Sequence, residues 1–154
     1  MTSKERVLQR ERDRGRMAAQ AVQEASASMT GTELNAADDR IPRFLEAVKH
    51  ENMLNRKAGQ EDGFVCKSTA GRVVRLIQNY DSDIFTGEPE ELKAQFRFVW
   101  STDPAKAKPF IASAASYYNK GDCCLNKAGE ARRSKIDANV FDPDVSPEFW
   151  ETAV

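Results

Sequence analysis

The chain has 154 residues, which is enough for one ordinary domain or for two or three very small ones. Hydrophobic residues make up 40% of the chain and the mean hydropathy is -0.63, so little apolar surface is available for burial. No apolar run is long enough to predict a membrane span, and a net charge of -1 excludes the overall electrostatic signature of a nucleic-acid-binding protein.

Residues 1–60 are predicted to be a helical region. From Ser3 to about Met29 the chain lacks proline and is rich in arginine, glutamate, glutamine and alanine, which favour helices. Its apolar residues form a thin stripe of mostly small side chains, which buries little surface alone. We therefore expect this helix to pack against another copy of the chain or against a larger partner.

The start of this helix is basic, and no apolar stretch follows it. The pattern predicts a protein without a cleaved signal peptide, made in the cytoplasm. A solvated helix start explains the basic residues simply, and an arm that contacts phosphate or an acidic partner is the alternative.

A second helix is predicted to begin near Glu33, with Thr32 as its N-cap and Pro42 at a first-turn position. It is expected to end around residues 57–59. The polar segment 58–63 then predicts a turn or linker.

From Phe64 onward the apolar pattern changes to short β-type runs. In residues 61–107 we predict strands at 64–66, 73–77 and 95–100, with a hairpin turn at 68–71. Residues 108–154 repeat this order, with strands at 123–125, 130–136 and 149–152. The sequence therefore predicts an α+β fold, in which a helical N-terminal region precedes two small antiparallel β-modules, each a hairpin plus a strand.

The C-terminal unit, 108–154, resembles the small carbohydrate-binding (chitin-type) modules of bacterial chitinases and phage tail-associated proteins. The residues that carry this resemblance are Tyr118-Asn119-Lys120-Gly121-Asp122, a turn with Gly129, Ser134 to Phe141, and Pro147-Glu148-Phe149-Trp150-Glu151. Upstream, residues 71–82 resemble part of the same module, so residues 61–107 are read as a diverged first copy of it. The resemblance implies a non-enzymatic phage virion protein of the tail or another host-facing structure.

Four residues of this unit have structural roles that follow from their chemistry. Gly121 supplies backbone freedom where the chain turns into the first strand, and Asp122 can bond nearby amides and fix that turn. Gly129 closes the hairpin. Trp150 is predicted to fill the small core, where it is enclosed between the hairpin and the following loop that carries Pro143 and Pro147.

The predicted ligand-binding residues are the aromatic side chains Tyr117, Tyr118 and Phe141. For Tyr118 and Phe141 a structural role in the core is the alternative. Modules of this type present exposed rings to sugars, and the resemblance places an aromatic pair where this chain has Ile136-Asp137. That loss favours the alternative function, a purely structural assembly or decoration protein whose modules no longer bind sugar.

The sequence predicts neither an enzyme nor a cofactor or metal protein. The single histidine, His50, lies among charged neighbours, and Cys66, Cys123 and Cys124 lack zinc-type spacing and are expected to be reduced. We expect a virion location, with other virion proteins as partners, self-association through the N-terminal helices, and a cell-surface polysaccharide as a further ligand. A nucleic-acid or membrane partner is not expected.

Overall fold

The computed structural model describes residues 2–49 and 63–154, so the predicted end of the second helix, most of the linker and His50 lie outside the described residues. The described chain contains three α-helices, two small sheets and several short 3-10 turns, which confirms the α+β fold class. The helices are α1 (Ser3–Ala25), α2 (Gly31–Ala36) and α3 (Phe44–Lys49). The strands are β1 (Val65–Lys67), β2 (Val73–Leu76), β3 (Phe96–Phe98), β4 (Lys108–Pro109), β5 (Cys123–Leu125), β6 (Ala131–Ser134) and β7 (Trp150–Thr152).

Capping boxes set the beginnings of the first two helices. The Thr2 hydroxyl accepts from the Glu5 amide, while the Glu5 carboxylate accepts from the Thr2 amide. Thr30 and Glu33 repeat the arrangement at α2. The prediction of Thr32 as the N-cap is therefore wrong, because Thr30 has the glutamate three residues later that completes the reciprocal pair. The Thr32 hydroxyl instead accepts from the Thr102 amide at 3.0 Å.

The first sheet has the order β1-β2-β3 and is antiparallel throughout. A turn over residues 68–71 joins β1 to β2, closed by a 2.9 Å hydrogen bond from the Gly71 amide to the Ser68 carbonyl. In β3 the side chains alternate as the sequence predicts, with Phe96 and Phe98 buried and Arg97 exposed.

The second sheet has the order β4-β5-β6-β7. Strands β5, β6 and β7 form the predicted antiparallel arrangement, in which Ser134 faces Trp150. The two-residue strand β4 adds to this sheet in parallel with β5. Nothing in the sequence predicts β4, because a run containing Pro109 is a poor strand former except at a sheet edge.

The two sheets share one core. Trp100, just after β3, stacks on Tyr118 with ring centroids 4.2 Å apart, and Tyr118 meets Trp150 of β7 edge to face at 5.3 Å. The Cys123 amide donates to the Ser101 carbonyl at 2.9 Å. The boundary between residues 61–107 and 108–154 therefore separates two sheets that pack on each other.

Buried Arg72 also joins the two sheets. Its guanidinium lies 3.1 Å from the Glu90 carboxylate and donates to the Pro109 carbonyl of β4 at 2.7 Å. A buried ion pair of this kind contributes little net stability compared with an apolar pair, but it fixes one arrangement of the groups that it joins.

The side chain of Gln23 binds α1 to the outer edge of β1. Its amide nitrogen donates to the Val65 carbonyl at 2.5 Å, and its oxygen accepts from the Val65 amide at 3.0 Å. These are the two main-chain groups that another strand would use. We call this pair of bonds the Gln23 clasp.

The N-terminal part of α1 extends away from the core. Between Thr2 and Met17 only Gln9 is even half-buried, and the first buried residue of the helix is Val22. We call residues 2–17 the arm. At 1.5 Å per residue it is about 24 Å long, and Val7, Leu8 and Met17 are 52%, 43% and 70% exposed.

Candidate functional site

The candidate site is organised by a backbone bridge between Tyr118 and Asn139. The amide of each residue donates to the carbonyl of the other, at 2.9 and 2.7 Å. Both side chains point into the core and are fully buried. The prediction that Tyr118 faces a ligand is therefore corrected, because its ring is enclosed between Trp100 and Phe110. Burial raises the pKa of its hydroxyl well above the usual value.

The residues that flank this bridge are exposed and largely apolar. Tyr117 precedes Tyr118 and is 45% exposed, while Val140 and Phe141 follow Asn139 and are 43% and 41% exposed. Phe141 stacks on half-buried Phe149 with ring centroids 4.4 Å apart. We call these four residues the aromatic surface. Two of the three predicted ligand-binding residues, Tyr117 and Phe141, lie on it.

Trp150 supports the aromatic surface from below. It is 5% exposed, and its indole nitrogen donates to the Phe141 carbonyl at 2.8 Å. The ring also contacts Phe110 edge to face. The structure thus places Trp150 in the core, as the sequence predicts, and shows that it holds the backbone of the exposed Phe141.

Polar side chains lie at the other end of the Tyr118–Asn139 bridge from Tyr117 and Phe141. The Asn119 side-chain oxygen accepts from the Ala138 amide at 3.2 Å, and Asp137 accepts from the Lys120 amide at 3.1 Å. Ala138 has a φ of 51°, the only positive value of a non-glycine residue in the described chain. Strained backbone of this kind tends to occur where a loop is held in one geometry for binding.

The predicted turn residues have the expected geometry. Gly121 and Gly129 have φ values of 99° and 79°, at which the backbone of a residue with a side chain would be strained. The Asp122 carboxylate accepts from the Asn119 amide at 2.8 Å. Partial burial raises the pKa of Asp122 above its usual value, and this hydrogen bond opposes the shift. Gly121 and Asp122 hold the turn that follows Tyr117 and Tyr118, and Gly129 closes the β5–β6 hairpin.

Tyr117 also borders a groove of about 350 Å³ that lies between the first sheet, α2 and residues 116–122. Its polar lining includes Arg75 and Arg97, which face each other across β2 and β3. Burial, and then the neighbouring Arg97, lower the pKa of Arg75. Arg75 is held in place by a 2.9 Å bond to the Ser26 carbonyl, so Arg97 is the group of this pair available to a ligand.

The cysteines of the chain are poor candidates for chemistry. All three are buried and unpaired. Burial is the main cause that raises the pKa of the Cys124 thiol to about 12, and it raises the pKa of Cys66 and Cys123 as well. A thiol with a raised pKa is a weak nucleophile at neutral pH.

Two residues of the site were not predicted from the sequence. The predicted closing strand includes Phe149, and Val140 lies within the stretch Ser134 to Phe141 that carries the family resemblance. The signal for Phe149 is its position before Trp150, because neighbouring residues in a strand point to opposite faces. Within residues 2–49 and 63–154 no group of acidic, histidine or cysteine side chains is arranged to hold a metal ion, and no helix there is long and apolar enough to cross a membrane.

Comparison of the chain with family models, with curated proteins and with solved structures found no match.

Proposed function

We propose that this chain is a non-enzymatic phage virion protein, of the tail or another host-facing structure, that binds a glycan through the aromatic surface. The observation that carries the proposal is the exposure of Tyr117, Val140 and Phe141 at the same end of the Tyr118–Asn139 bridge, with Phe149 stacked on Phe141. It is supported by the resemblance of residues 108–154 to chitin-type carbohydrate-binding modules.

The chemistry of this surface suits a sugar. The apolar face of a pyranose packs on an exposed ring, and the hydroxyl groups at its edge need hydrogen-bonding partners. Tyr117 and Phe141 offer such rings. The exposed side chains of Asn119 and Asp137 lie at the other end of the same bridge and have polar atoms for hydroxyl groups. The site is a surface with few rings, so we expect weak binding.

A co-sedimentation assay tests the proposal. We expect the protein to be retained on insoluble chitin or another cell-wall polysaccharide with a Kd in the high micromolar range. Phe141→Ala should weaken retention about tenfold, since a lost ring contact of about 1.4 kcal/mol corresponds to that factor. Tyr117→Ala should act in the same direction.

Val145→Ala is the matched control, because Val145 is 75% exposed and lies outside the aromatic surface. It should bind like the parent. Failure of the folded parent to be retained on chitin, cellulose or peptidoglycan would contradict glycan binding.

The second candidate is a purely structural role in virion assembly, and the arm favours it. An isolated helix of this length is marginal in water, so an arm with so few contacts to its own body gains stability from a partner. It is also basic, with Lys4, Arg6, Arg10, Arg12, Arg14 and Arg16 against Glu5, Glu11 and Asp13. Contact with another copy of the chain or with a neighbouring virion protein would cover Val7, Leu8 and Met17.

Light scattering and circular dichroism test the assembly role. We expect the molar mass and the helical signal to rise together with protein concentration, because the arm becomes ordered on association. The double variant Val7→Ser/Leu8→Ser should remove both rises. Ile84→Ser is the control, since Ile84 is 70% exposed but lies outside the arm. A fully helical monomer at all concentrations would exclude self-association through the arm.

A further inference from the structure

A separate cavity lies on the side of the molecule formed by α3, the β1–β2 turn and β4. Its volume is about 580 Å³, which is within the range of small-molecule sites. The aromatic surface does not contribute to it. The charged residues that line it are Asp38, Arg43, Glu46, Lys49, Lys67 and Lys108.

The lining of this cavity has an excess of positive charge. It contains four cationic side chains and two carboxylates, and one of those carboxylates, Asp38, already pairs at 3.3 Å with Lys106, which lies outside the lining. Among the described residues the four lining cations have no ion-pair partner within 4 Å. The acidic residues across the β1–β2 turn are also engaged, because Glu90 pairs with Arg72 and Glu88 accepts from Thr69.

Three separate segments of the chain hold these four cations in place. Arg43 precedes α3 and Lys49 ends it, while Lys67 ends β1 and Lys108 begins β4. The Lys67 amide donates to the Pro42 carbonyl at 2.9 Å, which fixes β1 beside α3. The Lys108 ammonium reaches over the β1–β2 turn, since a Cβ added at Gly71 would lie 3.5 Å from its Nζ. The charges are therefore gathered by the tertiary fold.

Unpaired cations around a cavity repel each other and are stabilised by a bound anion. Three of the four are lysines, whose compact ammonium groups bind phosphate as point charges, and the arginine can bind a phosphate oxygen pair. A ligand with several phosphate groups carries more negative charge than a dicarboxylate and matches an excess of cations better. We propose that this cavity binds a small ligand bearing two or more phosphate groups. This site is independent of the glycan-binding function proposed above.

Isothermal titration of the full chain with sodium pyrophosphate at low ionic strength tests the proposal. The parent should bind, and binding should weaken as salt is added, because the groups are partly exposed to solvent. Arg43→Gln/Lys49→Gln should weaken binding about tenfold or more, since half of the cationic lining is removed. Lys108→Gln alone should weaken it less, and it provides a second variant in a different segment.

The control is Lys127→Gln/Lys135→Gln, which lowers the net charge by the same amount at exposed lysines outside the cavity. It should change binding less than about twofold, because distant charges are screened. Succinate, a dicarboxylate, should bind more weakly than pyrophosphate. The proposal is overturned by a parent that does not bind pyrophosphate, by an equal loss in the control, or by equal affinity for succinate. Thermal melts of each variant confirm that the fold is retained.

Discussion

Trp150→Ala is expected to lower the free energy of unfolding by about 3–5 kcal/mol, the usual cost of deleting a buried large aromatic side chain. The ring contacts Tyr118 and Phe110, and its indole nitrogen holds the Phe141 carbonyl. A domain of this size has only about 5–15 kcal/mol of stability in total, so most of it would be lost. The melting temperature should fall by about 6–20 °C.

The same variant tests whether the two sheets unfold together. The chain has two tryptophans, so Trp150→Ala leaves Trp100 as the only one, and Trp100 stacks on Tyr118 between the sheets. Its fluorescence and the circular dichroism should change at the same temperature. Phe141→Ala should be milder, because its ring is 41% exposed. If Trp150→Ala melts at the temperature of the parent while Phe141→Ala is unfolded, Trp150 is not the central core residue of the second sheet.

Gly31→Ala is expected to be the most damaging single-methyl addition in the N-terminal region. A Cβ at this position would lie 2.1 Å from the Trp100 carbonyl oxygen and 3.2 Å from a Val99 methyl group. The backbone of α2 or of the chain after β3 must move, at a cost of about 1–3 kcal/mol. The movement should also strain the hydrogen bonds that the side-chain nitrogen of Asn35 donates to the Gly31 and Val99 carbonyls.

Gly15→Ala is the matched control, because a Cβ there meets nothing within 4 Å. It lies within α1, where alanine is favoured over glycine by about 1 kcal/mol, so helicity should rise and the melting temperature should not fall. Chemical denaturation of both variants measures the difference. If both variants are as stable as the parent, α2 does not pack against the chain at Trp100 as described.

The sequence predicts elements better than it predicts how they meet. The β3 residues alternate apolar and polar side chains, which is sufficient to place the strand and its buried face. The sequence also carries the signal for the cap of α2, since Thr30 and Glu33 have the spacing of a capping box and Thr32 has no glutamate three residues later. These signals are local, so they are present in a short stretch of sequence.

The site depends on contacts between distant parts of the chain. Tyr117 and Tyr118 are identical in chemistry, and only one of them faces the core. Which one does so is decided by the bridge to Asn139, which lies 21 residues after Tyr118 in the chain. The stacking of Trp100 on Tyr118 likewise depends on how two sheets pack, and a single sequence holds no periodic signal for such a contact. The cations of the cavity come from three separate segments, so they are gathered only by the tertiary fold.

Under the proposed assembly role, the Gln23 clasp would affect how copies of this chain are spaced. Its two bonds engage main-chain atoms of Val65, so the strand fixes the direction in which α1 leaves the body. Once association has ordered it, an arm mounted in this way acts as a semi-rigid spacer and not as a flexible tether. Neighbouring bodies joined through their arms would then sit at a set separation and angle.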